Sequence, residues 1–419
     1  MVGKSILENG VRIVTERVEG AHSVTIGLWV ENGSRHESVL QSGISHFLEH
    51  MLFKGTERRS ALDISREIDS VGGFLNGFTG REYSCYYIRI LAEHLPIAVD
   101  LLVDIAINSR LDTADIEKER RVILQELHML EDTPDDLVHD LFSQTFWGDH
   151  PLGQSILGSV ETVSTIGRED LIDFHQRHYC ARRMIVSAAG DLEHETLVEQ
   201  FAQIFSRLTH GEEMPLSSLP DYGRHAEVVE RDHEQVHLCL GARGLPQNHP
   251  NRFALYLLNT ILGSSMSSRL FQRVREDRGL AYSIYSYLNS HTDAGSLVLY
   301  AGTAPDDAIQ VIELMLAELR RLRNEEVSDE ELTFAKRQLR GNLLLSMEST
   351  DNRMTRLAKN EIYLGQHPSY KDVLAGFSRV TPEALRKLAE FICQDSYLNL
   401  QMVGPVNQVE YERWSLSLD

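Results

Sequence analysis

Residues 46–50 read His-Phe-Leu-Glu-His. On a helix, His46 and His50 stand four apart, so both imidazoles project from one face. That is the spacing two histidines need to hold one metal ion. Glu49 shares the face, three residues after His46, and can reach a metal-bound water without being a ligand. The zinc motif H-E-x-x-H sets its acid beside the first histidine, whereas here the acid sits beside the second. The inverted order predicts two histidine ligands, a glutamate base and a third ligand from elsewhere in the chain. Histidines and acids at helical spacing are often only surface groups. These lie among Ile44, Phe47, Leu48, Met51, Leu52 and Phe53, which predicts a substantially buried segment. Buried ionisable groups need partners, and a metal supplies one.

A catalytic zinc takes three protein ligands and leaves a fourth position for water. Residues 112–130 (DTADIEKERRVILQELHML) read as a long amphipathic helix, with Leu111, Ile116, Ile123, Leu124 and Leu127 forming its apolar stripe. Glu119 and Glu126 stand seven apart, two turns along one face. Either can deliver a carboxylate to the histidines. A ligating histidine also needs a carboxylate or carbonyl on its other ring nitrogen. One of the two acids therefore reads as a ligand and the other as that partner.

Composition narrows the function classes. The chain has 419 residues, enough for two domains and an ample core. Its 41 Lys and Arg against 62 Asp and Glu leave a net charge of −21. That excludes a nucleic-acid partner, which needs a basic surface, and would steer basic peptides inward. Cys85, Cys180, Cys239 and Cys393 are scattered without C-x-x-C spacing, which fits a reducing compartment without a disulfide framework. The first residues lack the apolar core of a signal peptide, and no 18-residue apolar run exists. The expectation is a soluble cytoplasmic protein with no membrane partner.

The elements repeat. Strands are expected near 11–16, 22–30, 73–79, 83–91 and 183–190, with helices at the motif and near 61–71, 94–109, 113–131, 134–147 and 193–206. Residues 209–220, polar with two prolines, read as a linker. Strands near 226–231, 235–242, 281–289 and 295–301 follow, with helices near 251–263, 305–323 and 328–348. This predicts an α+β fold of two similar halves, each an antiparallel-type sheet covered by helices. The domains are set at 1–212 and 221–419, joined by 213–220. Aligning 111–126 with 327–342 places Glu119 on Ala335 and Glu126 on Asn342, and FALYLLNTILGSS, opposite the motif helix, has no histidine. The second half keeps the scaffold and lacks the ligands, so one metal per chain is expected.

Taken with GSRHE at 33–37, GISHFLEHMLFKGT at 43–56, GGFLNGFTGREYSCYY at 72–87, HPLGQSILG at 150–158 and SRLFQRVREDRGLAYS at 268–283, the chain resembles the pitrilysin/insulinase family of inverted-zincin metallopeptidases. Within it the likeness is to the short, processing-peptidase-like branch, and it covers essentially the whole chain. The resemblance implies that Glu126 is the third ligand to Zn²⁺ and that Glu119 is the acid that supports a ligating histidine. Arg275 and Tyr282, seven apart, match a family pair that helps hold substrate at the zinc; their bland reading is a local pairing of Arg275 with Glu276 or Asp277 and a strand tyrosine. Residues 72–79 match an edge strand to which peptides add, so Asn76, Gly77 and Phe78 are expected to bind substrate. Gly77 stands where relatives often carry Ala, a departure that would loosen the strand. Asp136 and Asp140 match acids that read a substrate arginine, and read equally well as a solvated helix face.

Long family members carry two such pairs of halves and close as a clamshell. This chain is half that length. It is expected to pair, as a homodimer or with a different subunit, around a chamber, with Arg275 and Tyr282 acting on the partner's zinc. The implied activity is a zinc endopeptidase acting on peptides or unfolded segments, with Glu49 as general base. The alternative is a noncatalytic scaffold or partner subunit of the same fold.

Overall fold

The structure is a computed structural model that describes residues 2–206, 208–211, 218–406 and 416–418. Two compact units account for the chain. The first comprises Met1–His128, Gln154–Ser217 and Leu345–His367, and the second Met129–Gly153, Ser218–Leu344 and Pro368–Asp419.

The first unit is built on β1 (Val2–Ile6), β2 (Arg12–Arg17), β3 (Ser23–Val30), β4 (Phe74–Thr79), β5 (Ser84–Leu91) and β6 (Met184–Gly190), in the order β1-β2-β6-β3-β5-β4. Neighbours are antiparallel except β2 with β6. The second unit holds β7 (His225–Glu230), β8 (Val236–Arg243), β9 (Ala281–Ser290), β10 (Gly295–Thr303) and β11 (Asn399–Gly404), ordered β7-β11-β8-β10-β9. Here β7 and β11 are the parallel pair. The second order reproduces β2-β6-β3-β5-β4, so the repeat expected from the sequence is present as two sheets of matching topology. β1 is an addition to the first.

One face of each sheet carries the main core. In the first unit, Ile26, Leu28, Tyr86 and Ile88 pack with Phe47, Leu48, Met51, Leu102 and Ile105, the last two from the helix Leu95–Ile107. The other face is covered by a helix that arrives from far along the chain. Thr350–Leu364 lays Met354, Leu357 and Ala358 on Val14, Trp29, Cys85, Ile185 and Ala189. Ionic and polar contacts fix it. Asp351 accepts from Thr25 Oγ1 (2.6 Å) and pairs with Arg89 (2.9 Å), and Glu361 pairs with Lys4 (2.8 Å) and His367 (3.0 Å). In the second unit the corresponding face is covered by Pro134–Trp147, whose Leu137, Val138, Phe142 and Phe146 meet Cys239, Val298, Tyr300 and Val403.

The contiguous domains expected at 1–212 and 221–419 therefore differ from the compact units. Each half of the sequence gives one helix to the sheet of the other. An apolar stripe shows that a helix packs, and not which sheet receives it. Of the expected linker, 212–217 lie outside the described residues.

Candidate metal centre

The motif lies on the helix Ile44–Leu52. Ile44, Phe47, Leu48, Met51 and Leu52 are buried in the first unit's core, and this packing turns the opposite stripe, with His46, Glu49 and His50, outward. The helix begins at Gly43, whose φ of +93° is left-handed. A Cβ there would stand 2.7 Å from the Leu157 carbonyl oxygen. The buried Glu37 carboxylate takes the first free amides, accepting from Gly43 N (2.7 Å) and Ser45 N (2.8 Å). Burial pushes its pKa up to about 7, against the pull of those hydrogen bonds.

The long helix Thr113–Asp132 brings the acids. Glu126 Oε2 stands 3.7 Å from His46 Nε2 and 3.6 Å from His50 Nε2. The two imidazole centroids are 4.6 Å apart. One ligand atom from each of His46, His50 and Glu126 can be chosen so that all lie within 4.8 Å of one another, and this is the one such His, Cys, Asp or Glu cluster among the described residues. Glu119 takes the other side of His50, with Oε2 3.2 Å from Nδ1, and its Oε1 pairs with Lys54 Nζ at 2.8 Å.

Does this arrangement fit a metal? Glu126 Oε2 is buried and accepts no hydrogen bond, a costly state for a carboxylate oxygen. Burial, then the neighbouring His50, pushes the His46 pKa down to about 3, so its ring is neutral with a lone pair to give. Two imidazole nitrogens and a carboxylate are a zinc donor set. The separations of 3.6 and 3.7 Å are close to the roughly 3.3 Å edge of a tetrahedron with bonds of about 2.0–2.1 Å. The donors fit.

Glu49 has its own support. Its Oε2 accepts from Thr79 Oγ1 at 2.5 Å. Burial raises its pKa, with Thr79 and His50 opposing this and Glu126 adding to the rise. Thr79 ends β4, the outer strand of its sheet. Alternation along β4 sends Leu75, Gly77 and Thr79 to the motif-helix side. Phe78 lies on the opposite face with Trp29, Tyr83 and Tyr87, and Asn76 shares that parity. Asn76 and Phe78 are thus not on the Glu49 side. At Gly77 a Cβ would come within 3.1 Å of the Phe53 ring.

The remaining candidates belong to the second unit. The Arg275 guanidinium lies 4.8 Å from the rings of both Phe271 and Tyr282, and 3.8 Å from the Glu276 carboxylate. Its backbone forms a π-helical segment, Phe271–Glu276, a form frequent at functional sites. Tyr282, on β9, is 79% exposed. Asp136 and Asp140 share a helix face near the start of Pro134–Trp147, and Asp140 accepts from Gln144 (2.9 Å). Sequence reasoning missed Lys54, Thr79 and Glu37. Of these, only Lys54 carried a signal, standing one helical turn beyond His50.

Two family models match the chain. Insulinase (Peptidase family M16) spans residues 12–160, and Peptidase M16 inactive domain spans 165–339. An uncharacterized zinc protease of Bacillus subtilis is 40% identical over 405 residues, 97% of this chain and 98% of the relative. One of Streptomyces coelicolor is 40% identical over 422 residues, covering 98% and 91%. Among solved structures, a peptidase M16 inactive domain from Pseudomonas fluorescens superposes with a TM-score of 0.91 at 19% identity, covering 97% of this chain and 98% of its own. A protease from Helicobacter pylori does so at 0.90 and 22%, covering 97% and 99%. Those two likenesses establish the fold. With relatives at 40% identity aligned almost end to end, the chain belongs to the insulinase family of peptidases, family M16.

Proposed function

We propose that the protein is a zinc endopeptidase that hydrolyses peptides or unfolded segments, with one zinc ion per chain. The observation that carries the proposal is the donorless Glu126 oxygen facing the His46 and His50 Nε2 atoms, with Glu49 on the same helix. His46, His50 and Glu126 would hold the metal. A bound zinc ion lowers the pKa of a water toward neutrality and polarises a carbonyl. Glu49 takes the proton from the attacking water and returns it to the leaving amine. Its hydrogen bond from Thr79 fixes one oxygen and leaves the other to move the proton. Glu119 accepts from His50 Nδ1 and so keeps the Nε2 lone pair available.

Substrate would add as a strand to the outer edge of β4, held by main-chain hydrogen bonds. The net charge of −21 favours basic peptides. We read the active species as a dimer enclosing a chamber, with Arg275 and Tyr282 of one subunit serving the zinc of the other. The exposed Tyr282, stacked with Arg275 on an edge strand, supports this reading. Mixing His50→Ala and Tyr282→Phe subunits should then restore activity, and verified mixed dimers without restoration would refute sharing. No helix among the described residues is long and apolar enough to cross a membrane. The four unpaired, buried cysteines suit the cytoplasm.

The deciding experiment is elemental analysis of wild type and Glu126→Gln beside a quenched-fluorescent basic peptide assay. The expected result is about one zinc per wild-type chain, and chelator-sensitive cleavage lost in the variant. Neither metal nor cleavage after zinc is added back would overturn the reading.

A further inference from the structure

Lys54 follows the ligand helix, and its amide still bonds to the Met51 carbonyl at 3.1 Å. Its backbone therefore moves with His46 and His50. Its side chain reaches across to the long acidic helix, where Nζ stands 2.8 Å from Glu119 Oε1. Glu119 is buried, and its other oxygen is 3.2 Å from His50 Nδ1. Each oxygen of this carboxylate thus has one partner, an imidazole on one side and an ammonium on the other. The Lys54 side chain is only 35% exposed, and its stem lies along the protein.

The charges explain why such a grip is needed. Glu49, Glu119 and Glu126 put three carboxylates around the two imidazoles. Like charges at such range repel, and the softest response is for Glu119 to rotate away from the group. Without its acceptor, His50 could place its proton on Nε2 and lose the lone pair that a metal needs. With all three acids ionised, one Lys⁺ and one divalent cation bring the cluster to neutrality.

We propose that Lys54 is a positioning residue of the metal centre, holding Glu119 against His50 Nδ1 so that Nε2 is presented to the ion. The inference rests on the zinc reading above. It is tested by measuring zinc affinity in competition with a chelator of known strength, on wild type, Lys54→Met, Lys54→Arg, Glu119→Gln and the Lys54→Met/Glu119→Gln pair. Loss of a group that orients a ligand costs about 10–100-fold in metal affinity. Lys54→Met should weaken zinc binding by that factor, and Lys54→Arg should restore most of it. In the Glu119→Gln background, Lys54→Met should change affinity by less than about twofold, because the lysine acts through that carboxylate. Unfolding of the metal-free proteins is followed alongside, and affinity is compared only among variants that remain folded. Wild-type affinity in Lys54→Met would overturn the proposal, as would an undiminished effect in the Glu119→Gln background. If wild type itself binds no zinc, the zinc reading fails and this inference falls with it, an outcome distinct from both.

Discussion

Met354 lies more than 200 residues beyond the last proposed ligand, yet it is 1% exposed against the sheet beside the candidate metal centre. Trp29 Nε1 stands 3.3 Å from its sulfur, and a Cβ on Gly27 would stand 2.7 Å from the same atom. The glycine leaves the space that the methionine fills. Truncating it in Met354→Ala removes a packed thioether from a cluster that also holds Val14, Cys85, Ile185 and Ala189. Buried Met→Ala changes cost about 2–5 kcal/mol. Even the low end raises the population of the open first unit about 30-fold. Hydrogen exchange resolved by peptide is the assay. Amides of β3 and β6, the central strands under Met354, should exchange at least about 30-fold faster in the variant. Those of β8 and β10 in the second unit should change far less. Unchanged exchange in β3 and β6 would refute the claim that this helix stabilises the first unit. So would equal acceleration of β8 and β10.

Three further outcomes are expected. Glu49→Gln should keep its zinc, checked by elemental analysis, while kcat falls by about 10²–10⁴, the usual worth of a general base; a wild-type rate would remove Glu49 from that role. Gly43→Ala should destabilise the protein by at least about 1–2 kcal/mol through its left-handed φ alone, and zinc affinity measured by chelator competition should fall because the ligand helix must shift away from Leu157. Burial alone would raise the Glu361 pKa, but His367 and Lys4 hold it at about 2. That carboxylate therefore stabilises the fold above about pH 4.5, by at most about 3 kcal/mol, and the contribution vanishes as pH falls toward 2. In denaturant titrations, Glu361→Gln should be less stable than wild type at pH 7, with the gap closing between pH 4.5 and 2.

The meeting of His46, His50 and Glu126 was legible because its signal is local. His46 and His50 are one helical turn apart, and Glu119 and Glu126 recur on one face of a single helix. The sheets were legible for the same reason, since alternation marks β3 and β8, and a short apolar run marks β10. What the sequence hid depends on which distant surfaces meet. The stripe on Thr350–Leu364 does not say that it belongs on Trp29. The grip of Thr79 on Glu49 needs β4 laid beside the motif helix. Glu37 reads as a loop acid until the chain turns back and presents the free amides of Gly43 and Ser45. β1 is a short edge strand of mixed character, with little periodicity to announce it.

The exchange of helices also sets a clock. All of the proposed ligands have been synthesised by residue 126, but the helix that covers the second face of their sheet ends at Leu364. At synthesis rates of about 5–20 residues per second, the nascent ligand set waits roughly 10–50 s for its missing layer. Through that interval the face bearing Trp29 and Cys85 stays uncovered, an opening for chaperones. The sheet beside the candidate site is thus covered on both faces only once Leu364 has emerged.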